Sequence, residues 1–286
     1  MGWARGGKIV AYSAEISRAN PSCFLFVIDQ SASMADPWGG ESGKKKADGV
    51  ADAINRLLQD LVIKCAKEEG VRDYYYVGVI GYGASVGPAF SGNLSGQGVV
   101  PISQIADKPA RLEERKKKMD DGAGGMVEQT IRFPIWFDPK ANGGTPMNQA
   151  LSQAAGVVDA FVKAHPDCFP PVVIHITDGE STDGDPSAAM DRITSLASSD
   201  GGVLLFNLHI SGTAGTIEYP NSGEGLPDQY SRTLFEGASP LTEFMRQVAT
   251  EHNANASEGS RAFVFNATPI AVIQALDIGT RPSNLR

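Results

Sequence analysis

The chain has 286 residues, 42% of them hydrophobic, and a formal net charge of -8 at pH 7. This length and apolar content allow a large buried core within one domain. The acidic balance disfavours a nucleic-acid-binding role, because neutralising phosphates requires a concentrated basic surface.

The cysteines and the N-terminal segment indicate the compartment. Cys23, Cys65 and Cys168 are odd in number, widely spaced and set in apolar surroundings, which argues against a disulfide framework or a zinc cluster. We expect them to be small buried side chains. The N-terminus shows no apolar segment of signal-peptide length, and no uncharged apolar run reaches the roughly 18 residues of a membrane span. A cytoplasmic protein without a membrane partner is the expectation.

Apolar runs and helical periodicity alternate along the chain. Continuous apolar runs typical of buried strands occupy residues 23–29, 74–83, 171–179, 203–211 and 260–267. Apolar residues at three- and four-residue spacing predict helices within residues 44–70, 145–166, 186–198, 240–252 and 269–279. This alternation predicts an α/β fold, with a mostly parallel central sheet covered by helices on both faces.

Two stretches are harder to read. Residues 84–143 begin with a turn-rich segment, look partly helical over 102–119 and look extended over 131–137 despite Pro134. We expect an edge strand and a connecting helix there. Residues 212–240 are rich in Gly, Pro, Ser and Glu and are expected to form a loop or lid.

Oxygen-bearing side chains follow two of the predicted strands and precede one helix. They lie in the motifs DQSAS, GGTP and TDGE as Asp29, Ser31, Ser33, Thr145 and Asp178. Loops at the carboxyl ends of parallel strands converge on one rim, so these oxygens can meet in space. A set without imidazole or thiolate selects a hard cation, and hydroxyls plus waters favour Mg²⁺, with Mn²⁺ or Ca²⁺ as alternatives.

The order DQSAS, GGTP, TDG resembles the von Willebrand factor type A (VWA) family and its metal-ion-dependent adhesion site. The resemblance covers residues 22 to about 279. It implies that Ser31, Ser33 and Thr145 contact the ion directly, and that Asp29 and Asp178 act directly or through water. The remaining position would take a carboxylate from a protein ligand. The family thus implies a cation-dependent protein-protein interaction module without enzymatic activity, of open oligomeric state.

The same resemblance implies the architecture. We expect a doubly wound, Rossmann-like sheet of strand order 3-2-1-4-5-6. One VWA-like domain would span residues 21–286 after an N-terminal extension, residues 1–20. Loop insertions are expected near residues 34–46, 91–143 and 212–240.

The chain departs from the family pattern beside the predicted ion. Ala32 stands where many members have glycine, and residues 34–46 make an unusually long loop. Trp38 in this loop is either an exposed anchor for a partner or a ring packed onto the base of the loop. The run Lys44 to Lys46 is more typical of a solvated face, although its position near the ion suits docking of an acidic partner.

Other functions remain as alternatives. Residues 83–87, GASVG, match a hydrolase nucleophile elbow at Ser85, with Asp178 and His209 or His252 as triad partners, but lack the following helix. Asp29 as a phosphatase nucleophile lacks the second aspartate two residues on, where Ser31 stands. A third alternative is a scaffold that uses its loops without metal. Residues 180–185 are acidic enough for an additional Ca²⁺ but lack EF-hand spacing.

Overall fold

The computed structural model describes residues 12–38, 43–120, 126–211 and 215–281. Parts of the predicted N-terminal extension and of all three predicted loop insertions therefore lie outside the described residues, namely 1–11, 39–42, 121–125 and 212–214. Within the described part of the extension, Ile16 is buried in the main hydrophobic core.

The strands and helices alternate as the sequence predicts. The strands of the main sheet and of one long hairpin are β1 (Ser22–Asp29), β2 (Tyr75–Tyr82), β3 (Val86–Pro88), β4 (Val99–Pro101), β5 (Arg111–Asp120), β6 (Met126–Ile135), β7 (Val172–Thr177), β8 (Leu204–Ile210), β9 (Ile217–Glu218) and β10 (Phe263–Ala267). The α-helices are α1 (Lys46–Cys65), α2 (Ile102–Asp107), α3 (Met147–Ala164), α4 (Ser187–Thr194), α5 (Gln229–Gly237), α6 (Glu243–Glu251) and α7 (Pro269–Thr280).

The central sheet has the predicted strand order. Its strands run β9-β10-β8-β7-β1-β2-β3, and β4 also pairs with β2. Neighbours among β10, β8, β7, β1 and β2 are parallel, whereas β3, β4 and β9 pair antiparallel at the two edges. Counted in chain order from β1 to β3 and on through β7, β8 and β10, the order is 3-2-1-4-5-6, which confirms the doubly wound topology.

Two hydrophobic cores lie on opposite faces of this sheet. The alternation of β1 sends Phe24, Phe26 and Ile28 to the face covered by α1, α2, α6 and α7. It sends Leu25 and Val27 to the face covered by α3, α4 and α5. Successive strand residues point to opposite faces, so a strand buried on both sides must be apolar throughout. Helices on both faces are thus confirmed.

The helical prediction for residues 102–119 is wrong beyond Asp107. Residues 111–120 form β5, which pairs antiparallel with β6 from Arg111↔Ile135 to Asp120↔Met126. Cross-strand contacts explain the outcome, since the Arg115 guanidinium lies 3.7 Å from the centroid of the Phe133 ring. Such pairs stabilise a hairpin whatever the intrinsic propensity of its charged residues. The predicted edge strand and connecting helix are present as β3, β4 and the short α2.

The prediction of a loop over residues 212–240 is wrong for residues 229–237, which form α5. Asp228 begins this helix with a capping box, in which its carboxylate accepts a hydrogen bond from the backbone N–H of Ser231 at 2.7 Å. Leu234 and Phe235 are buried against the sheet. An aspartate three residues before its serine partner was the available signal for the start of this helix.

Trp38 and the cysteines are buried. The Trp38 ring is 1% exposed and its indole N–H donates to the backbone oxygen of Ala267 at 3.0 Å. Of the two interpretations of Trp38, the packed ring is therefore correct and the exposed anchor is not. Cys23, Cys65 and Cys168 are free and buried, as expected. Among the described residues, no helix combines the length and apolar character needed to cross a membrane.

The contact between Trp38 and α1 gives a test of this packing. A Cβ added at Gly49 would lie 2.3 Å from the buried Trp38 ring, so Gly49→Ala should destabilise the protein by about 1–3 kcal/mol despite the better helix propensity of alanine. Gly156→Ala in α3 is the matched control, since a Cβ there meets nothing within 4 Å. The control should stabilise by up to about 1 kcal/mol. Urea unfolding measures both, and a stabilising Gly49→Ala would contradict the packing.

Candidate metal centre

The candidate centre lies at the carboxyl end of two neighbouring strands. β1 and β7 pair in register up to Ile28↔Ile176. Asp29 is the last residue of β1, and Asp178 directly follows the last residue of β7. The parallel sheet therefore brings two carboxylates together at one rim, although Asp29 and Asp178 are 149 positions apart in the sequence.

Four of the five predicted ligands are joined by direct hydrogen bonds. Ser31 Oγ and Ser33 Oγ are 3.0 Å apart, and Ser33 Oγ donates to Asp178 Oδ1 at 2.7 Å. Asp29 Oδ1 accepts from the backbone N–H of Ser31 at 2.8 Å. Its other oxygen accepts from the hydroxyl of Thr177 at 2.9 Å. The motif DQSAS thus folds back so that its oxygens meet those of the β7 loop.

The loop before α3 is tied to the same place through its backbone. Asn142 N–H donates to the Gln30 carbonyl at 2.7 Å, and Ala32 N–H donates to the Gly143 carbonyl at 3.0 Å. Gly83 permits this approach, because a Cβ there would lie 2.5 Å from the backbone oxygens of Gln30 and Asn142. Gly143 has a φ of +86°, a conformation that favours glycine. The two segments are therefore held side by side by main-chain contacts.

Thr145 is placed beside the cluster by these neighbours. Its position directly before Pro146 would also suit the cap of α3, but the structure does not use it as one. The helix begins at Met147, with Pro146 in the cap position. The Asp183 carboxylate instead accepts from the backbone N–H groups of Asn148 and Gln149, at 2.9 and 2.8 Å. A carboxylate from another loop satisfies the open N–H groups of the first turn, so the Thr145 hydroxyl is not needed there.

The β7 loop holds Thr145 from the other side. Thr145 N–H donates to Thr182 Oγ1 at 3.0 Å, and the Thr145 carbonyl accepts from Thr182 N–H at 2.9 Å. Asp185 accepts from the backbone and hydroxyl of Ser187, at 2.9 and 2.6 Å. The carboxylates of Asp183 and Asp185 are thus used as helix caps. Sequence reasoning considered them only as ligands for a second Ca²⁺.

The negative charge of Asp29 is costly because the residue is buried. Asp29 is only 1% exposed, and burial raises the pKa of its carboxyl to about 6. The nearby negative charge of Asp178 adds to the rise, whereas hydrogen bonds from Ser31 and Thr177 partly offset it. A positive charge at the rim would lower the free energy of the ionised form.

Lys46 supplies one such charge, which sequence reasoning missed. Its ammonium donates to Asp178 Oδ2 at 2.8 Å, and the two side chains are 9% and 0% exposed. The interpretation of residues 44–46 as a solvated face is therefore wrong for Lys46, although the exposed side chain of Lys45 fits it. The basic run gave no signal that one of its three members turns inward.

Aromatic and imidazole groups line the side of the centre towards β8 and β10. The Tyr230 hydroxyl lies 3.4 Å from Thr177 Oγ1. His209 stacks on Phe265 with ring centroids 4.8 Å apart, and burial lowers its pKa to about 4. The imidazole is therefore neutral at neutral pH.

The structure does not give Ser85 the context of a nucleophile elbow. Ser85 is exposed in the turn between β2 and β3, two antiparallel strands joined by the pair Tyr82↔Val86. An elbow requires a strand, a sharp turn and then a helix. His252, one of the imagined triad partners, lies 2.8 Å from Asp277 of α7.

The donor set fits a small hard cation. Mg²⁺ holds oxygens at 2.0–2.1 Å in octahedral geometry, so adjacent ligand oxygens lie about 2.9 Å apart. The distances of 3.0 Å between the serine oxygens and 2.7 Å from Ser33 Oγ to Asp178 Oδ1 are close to this value. Within the described part of the chain, no three His, Cys, Asp or Glu side chains form a metal-binding group. The candidate set differs in kind, since it combines two carboxylates with hydroxyls.

The comparisons with known proteins leave the family open. No protein-family model matches the chain. A search of curated proteins likewise finds no match. Fold and site define the chain as a doubly wound α/β domain with a polar, oxygen-rich rim.

A search of solved structures returns weak matches to the chain. The von Willebrand factor domain of the type V pili tip protein Mfa5 from Porphyromonas gingivalis is 14% identical with a TM-score of 0.28, over 57% of this chain and 39% of that chain. The structure of the three N-terminal domains of Mfa5 is 14% identical with a TM-score of 0.30, over 57% of this chain and 20% of that chain. PilB minor pilin from Streptococcus sanguinis is 15% identical with a TM-score of 0.30, over 56% of this chain and 30% of that chain. The chain thus matches less than two thirds of each of them, and likenesses of this size assign no function to it.

The pKa of Asp29 predicts how stability changes with pH. In chelator, the folded carboxyl with its pKa of about 6 binds a proton more tightly than the unfolded one at 3.8. This group's contribution to stability is therefore present below about pH 4, falls as the pH rises and is gone above about pH 6. The difference corresponds to about 3 kcal/mol. Asp29→Asn should remove this component in urea unfolding at a series of pH values.

Asp185→Asn is the control for this series, because the pKa of Asp185 is lowered by its hydrogen bonds to Ser187 and it titrates below the range. Parallel profiles for the wild type and Asp29→Asn would contradict the burial cost assigned to Asp29.

Proposed function

We propose that the chain is a divalent-cation-dependent protein-interaction module. Mg²⁺, with Mn²⁺ or Ca²⁺ as alternatives, would be held by Asp29, Ser31, Ser33, Thr145 and Asp178. One observation carries the proposal: four of these residues, from two segments far apart in sequence, are joined by hydrogen bonds. The order of their motifs resembles the VWA family and supports the same assignment.

The proposed ligands differ in charge. Ser31, Ser33 and Thr145 would bind through neutral hydroxyls, so only Asp29 and Asp178 contribute negative charge. Together with the Lys46 ammonium these groups carry a net charge of −1, which becomes +1 when a divalent cation is bound. A bound cation supplies an electrophilic point there. The excess positive charge favours an incoming carboxylate over a neutral ligand.

Several of the described residues around the candidate centre are small and exposed. Ala32, Gly143 and Gly144 are exposed, and Ser33 is half-buried. Small side chains at this rim leave room for an acidic side chain of a protein ligand. Ala32 lies in the 3₁₀ helix Ala32–Ala35, whose backbone suits alanine, so its departure from the family's glycine does not disturb the motif.

The proposal assigns no catalytic role to Asp29 or Ser85. Both Asp29 oxygens already accept hydrogen bonds, from Ser31 N–H and from the Thr177 hydroxyl, and the residue is 1% exposed. A carboxylate held in this way is poorly placed to attack a substrate. Ser85 has no helix behind it to complete an elbow.

Cation binding to the purified protein tests the site directly. Titration calorimetry with Mg²⁺, Mn²⁺ and Ca²⁺ should show one site in the wild type and no detectable binding in Asp178→Asn, because a charged ligand is lost. Ser33→Ala should weaken binding by about tenfold or more, in line with the loss of one ligand. Ser85→Ala is the matched control and should bind as the wild type does. Equal binding by all four proteins would refute the assignment.

The Lys46 ammonium favours a second candidate, a scaffold that binds partners without metal, since Asp178 already has a cation beside it. Chelator separates the two functions. Partner capture from source cells by the immobilised chain should fall in chelator and return with Mg²⁺, and Asp178→Asn should capture little in either buffer. Capture that persists in chelator would support the scaffold and contradict the cation-dependent module.

A further inference from the structure

We infer that Lys46 is a tethered cation that occupies Asp178 when no divalent ion is bound and competes with that ion for the site. The inference rests on the proposed function, because it concerns regulation of the same centre. It adds a residue that the VWA motifs do not contain. Lys46 would set how much divalent cation is needed before the chain can receive a partner's carboxylate.

The contact with Asp178 is shielded from solvent on both sides. The Lys46 ammonium lies 2.8 Å from Asp178 Oδ2, while Ser33 Oγ occupies the other carboxylate oxygen at 2.7 Å. A divalent cation bound by Ser33 and Asp178 would be placed close to this ammonium. Two like charges repel strongly where water is excluded, so both cations cannot hold Asp178 at full strength.

Lys46 is also in an unfavourable place for a structural lysine. It is the first residue of α1, where the exposed N–H groups of the helix carry a partial positive charge. Lysine is rarely buried unless it is paired. The position is therefore stabilised by the acidic side chains that face it. The Lys46 ammonium is therefore expected to move away from Asp178 when a divalent cation binds that carboxylate in its place.

A second acceptor lies within reach. Asp36 Oδ2 is 3.9 Å from the Lys46 ammonium, and the Asp36 side chain is 67% exposed. The flexible four-carbon stem of lysine allows the ammonium to move towards Asp36 without movement of the helix. Lys46 can thus give up Asp178 and keep an ion-pair partner at the surface, which lowers the cost of its displacement.

The experiment compares Lys46→Met with Lys45→Met, which removes the same charge from the exposed neighbouring residue. Calorimetric titration with Mg²⁺ should show binding at least about tenfold tighter for Lys46→Met than for the wild type, and wild-type affinity for Lys45→Met. Lys46→Gln, which keeps a hydrogen-bond donor without the charge, should bind as tightly as Lys46→Met. It serves as the second variant if the methionine perturbs folding.

Melting temperature gives a readout that does not depend on affinity. In chelator, Lys46→Met should melt below Lys45→Met, because Asp29 and Asp178 then lack their positive charge. Saturating Mg²⁺ should close that gap. A Lys46→Met protein as stable as Lys45→Met in chelator would overturn the inference.

The outcomes separate this inference from the proposed function. If the wild type binds Mg²⁺ and Lys46→Met binds it no more tightly, competition is refuted and the cation site stands. If only the Lys46 variants bind, competition is supported and the lysine dominates in the wild type. If no variant binds Mg²⁺, Mn²⁺ or Ca²⁺, both the proposed function and the competition fail.

Discussion

Two carboxylates are fixed beside one another at the ends of adjacent buried strands, and the local structure follows from the need to stabilise their charge. Asp29 and Asp178 have little access to water, and parallel pairing of β1 with β7 prevents them from moving apart. Each carboxylate oxygen therefore has a donor: a backbone N–H, a threonine hydroxyl, a serine hydroxyl or the Lys46 ammonium. Buried charge is tolerated only when it is paired and hydrogen-bonded in this way.

The floor of the centre is rigid because a second layer of polar groups is also satisfied. Tyr82 and His175 are joined at 2.7 Å, His175 and Asn207 at 2.9 Å, and Asn207 donates to the Leu234 carbonyl of α5 at 2.7 Å. Burial lowers the pKa of His175 to about 4, so the imidazole is neutral at neutral pH and this series of hydrogen-bonded side chains adds no charge near Asp29. These hydrogen bonds link residues of β2, β7 and β8 to α5.

Sequence alone predicted the sheet well because buried parallel strands are apolar throughout, as in β1 and β7. It also predicted that Asp29 and Asp178 lie at one rim of this sheet, since Asp29 ends β1 and Asp178 directly follows β7. The inward turn of Lys46, the capping of α3 by Asp183 and the β5–β6 hairpin depend on contacts between distant segments. Local patterns carry no trace of such contacts. Thr145 illustrates the difference: its position before a proline favours a cap, but a carboxylate 38 positions later takes that place.

The described parts of the long loop after Ser33 contribute to the electrostatics of the centre. Its described ends are closed by the bridge Pro37↔Lys45 and by Lys46 N–H, which donates to the Asp36 carbonyl at 3.0 Å. Trp38 fixes the loop by burying its ring against α1 and bonding to the carbonyl of Ala267 in β10. These contacts set where α1 begins, and therefore where the Lys46 ammonium meets Asp178. The end of this insertion thus delivers the positive charge of Lys46 to Asp178.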